Sequence, residues 1–178
     1  MLEAIESPLR IPKEQRSARF GLIQGLVDSL RPFPELTPSL ARLCHTLGTG
    51  LLKLKDYSVS RAAYEEALSL YRQLAADEPA AYLPEVAMTP NNLALLLNDV
   101  HDNSVSRATY EEALPLYRRL AADEPAVYLP HVATTLNNLA NLLHEMPESD
   151  YPAARAAFEE ALTIRRRLAE AELAVYLS

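Results

Sequence analysis

Four glycines among 178 residues leave little room for a sheet joined by tight turns, where glycine usually supplies the positive backbone φ. A single cysteine, Cys44, excludes an internal disulfide and fits a reducing compartment. No run approaches the ~18 consecutive apolar residues that a membrane-spanning helix needs. The N-terminal stretch MLEAIESPLRIPKEQR holds acids and prolines where a secretory signal would need a basic start and an apolar run. No basic stripe is long enough to track a phosphate backbone, and 24 acidic against 17 basic residues give a net charge of −7. The densest basic run, Arg165-Arg166-Arg167, falls in the last turns of a predicted helix, where cations favour the dipole's negative end. These absences predict a soluble, cytoplasmic chain with no nucleic-acid or membrane partner.

Catalytic patterns are missing too. There is no glycine-rich phosphate loop and no nucleophile elbow. No pair among His45, His101, His131 and His144 has the i, i+4 spacing of a helical metal site. His101-Asp102 reads as a solvated loop. The pairs Glu65-Glu66, Glu111-Glu112 and Glu159-Glu160 recur on the polar face of a repeated helix, so they read as surface charge rather than an acid/base pair. The expectation is no enzyme, no metal and no cofactor.

What the chain has is proline, thirteen of them, and repetition. Residues 61–87 and 107–133 differ at five of their 27 positions, and a more divergent copy begins at Arg155. The period is 46 residues from Arg61 to Arg107 and 48 from Arg107 to Arg155. Near-copies at such a period mean helical units that each bury an apolar face against a neighbour. In the first copy Tyr64, Ala67, Leu68, Tyr71 and Leu74 form one stripe of a 3.6-residue period. Ser58 or Ser60 would cap this helix, and Asp77-Glu78-Pro79 would end it. Equivalent helices are expected at about 104–121 and from about Pro152, where the missing breaker at Ala171-Glu172-Leu173 should let the helix run to near Leu177. Between them, first helices are expected at 37–56, from Pro84 to Asp99 and from Pro130 to about Glu145, with each proline at the first helical position. Residues 14–31, with Phe20, Ile23, Val27 and Leu30 in helical register, read as an N-terminal capping helix. Pro115 and Pro90 fall inside helices and should bend the middle unit.

Small and aromatic residues take fixed places. In each unit a leucine and a small residue, Leu47 and Gly48, Leu93 and Ala94, or Leu139 and Ala140, precede a trio in the next helix. The trios are Ser60, Tyr64 and Ala67, then Ser106, Tyr110 and Ala113, then Ala154, Phe158 and Ala161. Small residues let two helices approach, and the aromatic fills the wedge beside them. This order resembles the tetratricopeptide repeat over about residues 37–178, in the longer variant found in bacterial repeat proteins and kinesin light chains. The resemblance implies an all-α fold of about seven helices in antiparallel pairs, forming a right-handed superhelical solenoid. Residues 1–36 would be an extension and cap, and 37–82, 83–128 and 129–178 three repeats. Two departures stand out. The aromatic common early in the family's first helix is here Cys44, Pro90 and Leu136. The inter-unit segment DEPAAYLP exceeds that of the standard unit of about 34 residues.

Asparagine is a mediocre helix former, yet Asn91-Asn92 recurs as Asn137-Asn138, with Asn98 and Asn141 further along the same helices. One reading has an Asn of each pair bonding a neighbouring carbonyl within the stack. The other has the amides facing a groove, where each can donate to and accept from a peptide backbone. The family's concave groove is lined by first helices. The resemblance therefore assigns to it Asn91, Asn92, Leu95, Asn98, Asn137, Asn138, Asn141 and His144, with Arg42, His45, Thr49 and Lys53 in the first unit. Such a groove would be basic at its N-terminal end and acidic near Asp99 and Glu145. The function implied is a scaffold holding a partner protein or peptide. A second expectation is a homo-oligomer formed through the C-terminal helix, whose Val175, Tyr176 and Leu177 match residues that pack under a following unit. A third is a regulatory fragment of a larger signalling protein.

Overall fold

The computed structural model describes residues 13–146 and 150–176. Every regular element among them is helical: α1 (Lys13–Leu30), a 3-10 turn (Pro34–Leu36), α2 (Thr37–Lys53), α3 (Tyr57–Asp77), α4 (Pro79–Asp99), α5 (Asn103–Asp123), α6 (Pro125–Glu145) and α7 (Tyr151–Tyr176). The all-α repeat architecture expected from the periodicity is the one the chain forms. It divides into two compact units, residues 1–74 and 75–178, with the boundary inside α3.

The inter-unit segment is helix, which corrects the expected starts of α4 and α6. Glu78 (φ −127°, ψ 70°) and Glu124 (φ −128°, ψ 71°) leave the helical region, as residues before proline do. Helix then resumes at once at Pro79 and Pro125, not at Pro84 and Pro130. A proline at the first helical position loses no bond. The first turn closes when the Glu78 carbonyl accepts from the Ala81 and Tyr82 amides, and Glu124 from Val127 and Tyr128. Pro84 and Pro130 therefore lie inside their helices, each forgoing one backbone bond. α4 also continues through Pro90, and α5 through Pro115. Pro115 is exposed, whereas Pro90 is buried and helps fill the core.

The first two hairpin turns share one geometry. Lys55 (φ 56°) and His101 (φ 61°) occupy the left-handed region one period apart. The following amides, of Asp56 and Asp102, bond back to Leu51 and Leu97, each at 2.9 Å, and so satisfy carbonyls at the helix end. Ser60 does not cap α3. Its hydroxyl donates to the Gly48 carbonyl at 2.7 Å, and Ser106 does the same to Ala94 at 2.8 Å, tying the two helices of a hairpin together. Placed one turn into the helix, the hydroxyl faces the neighbouring helix rather than the open amides of its own first turn. Ser58 is exposed inside α3.

Unit 2 packs helix on helix in chain order, α4 on α5, α5 on α6 and α6 on α7. One core cluster joins Leu114, Tyr117 and Ala121 of α5 to Val132, Ala133 and Leu136 of α6, with Ala157 and Ala161 of α7. A second sets Tyr110 among Ala94, Leu139, Leu142, Leu143 and Ala154. The small residues of the repeat hold their expected places. Ala67, Ala113 and Ala161, each one turn beyond the aromatic, are buried in all three copies, as are Gly48, Ala94 and Ala140 one helix earlier. The leucines before them are less uniform: Leu93 and Leu139 are buried, and Leu47 is half-buried.

The aromatics differ more. Tyr64 and Tyr110 are fully buried wedges, but Phe158 is 37% exposed, so the third aromatic is not the buried wedge expected of it. The cause is coverage. Leu139, Leu142 and Leu143 of α6 close over Tyr110, whereas no described helix follows α7 to cover Phe158. Ala113 and Ala161 keep their burial in both copies because a methyl beside the preceding helix needs no later one to cover it.

α7 runs unbroken, as expected where the Asp-Glu-Pro breaker is missing. It carries Arg165–Arg167 well before its end, which corrects their placement in the last turns. The side chains of Val175 and Tyr176, and Leu177 altogether, lie outside the described residues. In unit 1, α1 packs on α2 and buries Val27, while the Phe20 and Ile23 side chains are outside the described set. No helix among the described residues is long and apolar enough to cross a membrane.

Candidate functional site

In unit 1, Arg42, His45, Thr49 and Lys53 follow one stripe of α2, but they are not equally available. Tyr64 Oη donates to Thr49 Oγ1 at 3.0 Å, and Thr49 donates in turn to the His45 carbonyl at 3.2 Å. The His45 ring meets the Tyr64 ring edge to face, with centroids 5.5 Å apart. Burial lowers the His45 pKa from its usual 6.5, so the neutral ring is favoured. A Cβ on Gly48 would lie 2.8 Å from the Tyr64 ring, which explains glycine where the sister units have alanine. His45 and Thr49 are thus held in the packing, and Arg42 and Lys53 are the exposed charges. Beneath them the Cys44 thiol is pushed up to about 11, by burial first and the Glu66 carboxylate second, which makes it a poor nucleophile.

In unit 2 the first helices α4 and α6 touch directly. The structure resolves the two readings of the asparagine pairs unevenly. Thr135 of α6 donates to Asn91 Oδ1 at 3.0 Å, and the Asn91 amide lies 3.5 Å from Asn92 Oδ1. Asn91 therefore belongs to the joint between repeats. Asn138 lies beside the buried Tyr110 hydroxyl, which makes no hydrogen bond of good geometry. Burial and then the Asp99 carboxylate push the Tyr110 phenol above its usual range, while the Asn138 amide acts in the opposite sense. Leu95 stands in α4 where Thr49 stands in α2, so the hydroxyl that serves Tyr64 has no counterpart for Tyr110.

Toward the C-terminal ends of both helices the stripe opens to solvent. Leu95, Asp99, Asn141, His144 and Glu145 are exposed, and Asn98 and Asn137 are half-buried. The His144 ring rests edge to face on Tyr151 at 5.5 Å. Thr135 was not singled out from sequence, although Thr89 and Thr135 recur one period apart inside an apolar stripe, and that recurrence of a buried hydroxyl was the available signal.

The repeated glutamates are surface charges with defined partners. Arg61–Glu65, Arg107–Glu111 and Arg155–Glu159 are i, i+4 pairs at 2.7–2.8 Å. Glu66 instead pairs with Arg31 at 3.1 Å, and Glu160 takes Arg118 from the preceding repeat at 2.7 Å. Among the described residues no group of three potential metal ligands comes together.

Within unit 2 the hairpins α4–α5 and α6–α7 thus share a small–aromatic wedge, and their first helices, α4 and α6, meet directly. The tetratricopeptide-repeat family model matches residues 85–167. Over this stretch the chain is similar to a tetratricopeptide-repeat array. The match covers most of α4 through the greater part of α7, and the same small–aromatic order continues back into α2 and α3. No curated protein matches the chain. Tetratricopeptide repeats generally mediate protein–protein interactions and are typically non-catalytic scaffolds, and that is the level at which the family speaks to this chain.

Proposed function

We propose that this protein is a non-catalytic interaction scaffold. It holds a partner segment on the face that α4 and α6 share, with the α2 stripe serving the first unit in the same way. The observation that carries this reading is the open end of the α4/α6 stripe. There Leu95 and Asn98 of α4 and Asn141 and His144 of α6 leave an apolar side chain, two amides and an imidazole open on two touching helices. Amides that donate and accept at once suit a peptide backbone and give affinity tolerant of sequence. The apolar Leu95 supplies the water-excluding contact that such bonds need to count. Asn91 is reserved for the repeat joint and Asn138 for the neighbourhood of Tyr110, so binding rests on Asn98 and Asn141. The test is selection from a peptide library followed by titration. Asn98→Ala with Asn141→Ala should weaken the selected peptide at least tenfold without changing thermal stability. Unchanged affinity in the double variant rejects the face. Arg42 and Lys53 should add a preference for acidic residues that fades with added salt.

A further inference from the structure

We propose that the open end of the α4/α6 stripe is an arginine site. An extended partner segment presents an apolar residue to Leu95 and, two residues away, an arginine to Asp99 and Glu145. The site refines the scaffold reading of this face and rests on it. Lys53, Asp99 and Glu145 are the last residues of α2, α4 and α6 and follow one another at 46 residues, in one register of the repeat. A helix C-terminus is the negative end of the dipole and favours cations. Lys53 obeys that rule, and Asp99 and Glu145 break it in succession. Both are exposed, and neither has an ion-pair partner among the described residues. Carboxylates at the ends of two touching helices leave a local negative field that a cation from outside would neutralise.

A buried group points to the same kind of ligand. Tyr110 is fully buried, and its hydroxyl makes no well-formed bond. Its place in the repeat aims that hydroxyl at the stripe: one period earlier Tyr64 Oη donates to Thr49, and Leu95 stands at the Thr49 position of α4. Burial first and then the Asp99 carboxylate push the phenol above its usual range, so it stays protonated close to that acid. Leu95 is 38% exposed, and a turn of its side chain toward an apolar ligand residue opens the way to the phenol oxygen. A guanidinium fits this set better than an ammonium, because its planar fork of five N–H donors can serve a carboxylate and a phenol oxygen at once. Leu95 and Asp99, four residues apart, are separated by about 6 Å along α4. Side chains on one face of an extended segment recur every second residue, about 7 Å. That match sets the Leu-x-Arg spacing. Arg42 and Lys53 carry the opposite sign, so their preference for acidic residues belongs to the first unit alone.

The probe is a fluorescent octapeptide pool with Leu-Ala-Arg fixed at its centre, paired with a pool carrying citrulline in place of the arginine. Citrulline keeps the shape and loses the charge. Titrated into the full chain, the arginine pool should bind at least tenfold more tightly. That preference should vanish in Asp99→Asn with Glu145→Gln and fall at least threefold in Tyr110→Phe. The acid substitutions are isosteric and at exposed positions, and a melting curve matched to the parent confirms that they fold. Equal affinity of the two pools overturns the proposal, and so does a preference that survives the double acid variant or is untouched by Tyr110→Phe. If both pools bind equally and Asn98→Ala with Asn141→Ala weakens both, the arginine site falls and the scaffold reading stands. If neither pool binds and the library yields no peptide, both fall. Sedimentation showing self-association that the double acid variant abolishes would make the occupant a second copy and also overturns the proposal.

Discussion

Tyr64 and Tyr110 occupy the same place in two nearly identical repeats and live in different chemistry. The Tyr64 ring lies against a glycine, and its hydroxyl donates to Thr49. The Tyr110 ring packs with Ala94, and its hydroxyl is buried without a well-formed bond. The windows that carry them differ little, so the contrast is set one helix away, by Thr49 against Leu95 and Gly48 against Ala94. A repeat motif therefore fixes the place of a side chain, and its partners decide what that place costs. Phe158 extends the comparison: the same place with no hydroxyl and, among the described residues, no covering helix.

The largest effect should come from emptying the wedges. Tyr64→Ala and Tyr110→Ala each remove a fully buried ring and should cost about 3–5 kcal/mol by chemical denaturation. Phe158→Ala, at a part-exposed site, should cost about 1 kcal/mol. Equal losses at all three would erase the distinction drawn from coverage.

Gly48→Ala comes next. Helix propensity favours alanine by ~1 kcal/mol, but the new Cβ would sit 2.8 Å from the Tyr64 ring. Overpacking of about 1–3 kcal/mol should win, giving net destabilisation. A more stable variant would mean that the ring yields without strain.

The hydroxyls give a smaller effect but opposite signs. Tyr64→Phe breaks a formed bond and should cost about 0.5–1.5 kcal/mol. Tyr110→Phe removes a buried hydroxyl that lacks a good partner and should be neutral or stabilising by up to ~1 kcal/mol. Equal losses in the two variants would show Asn138 to be a full partner of Tyr110.

The smallest effect is a pH dependence in the first repeat. Burial lowers the His45 pKa below 6.5, so the unfolded chain binds its proton first. Stability from this group is intact above about pH 6.5 and declines as the pH falls from there toward the lower folded pKa. Replacing His45 with glutamine should flatten that part of the pH profile. A slope that survives the replacement would place the proton elsewhere.

Much of this was legible in the sequence, for reasons that can be named. A 46-residue period with a 3.6-residue stripe in each copy leaves one architecture, and the Asp-Glu-Pro breakers ended α3 and α5 where they stand. The starts of α4 and α6 were misplaced because two prolines five residues apart both suit a first turn. Only backbone closure at Glu78 and Glu124 distinguishes them. The coverage of Phe158 was not readable from its own copy, since burial of a large ring depends on the helix that follows. Ala113 and its counterparts were readable, because a small residue packs against the helix already in place. The asparagine pairs were ambiguous for the same reason as Phe158: Asn91 is claimed by Thr135, 44 residues away in sequence.

The central claim is that the open α4/α6 stripe is where a partner sits. Its most direct test is amide chemical-shift mapping of the whole chain against the tightest peptide selected from the library. The largest shifts are expected at Leu95, Asn98, Asn141 and His144, with α5 little changed. Shifts confined to α7 or α5, with those four amides unmoved, would contradict it.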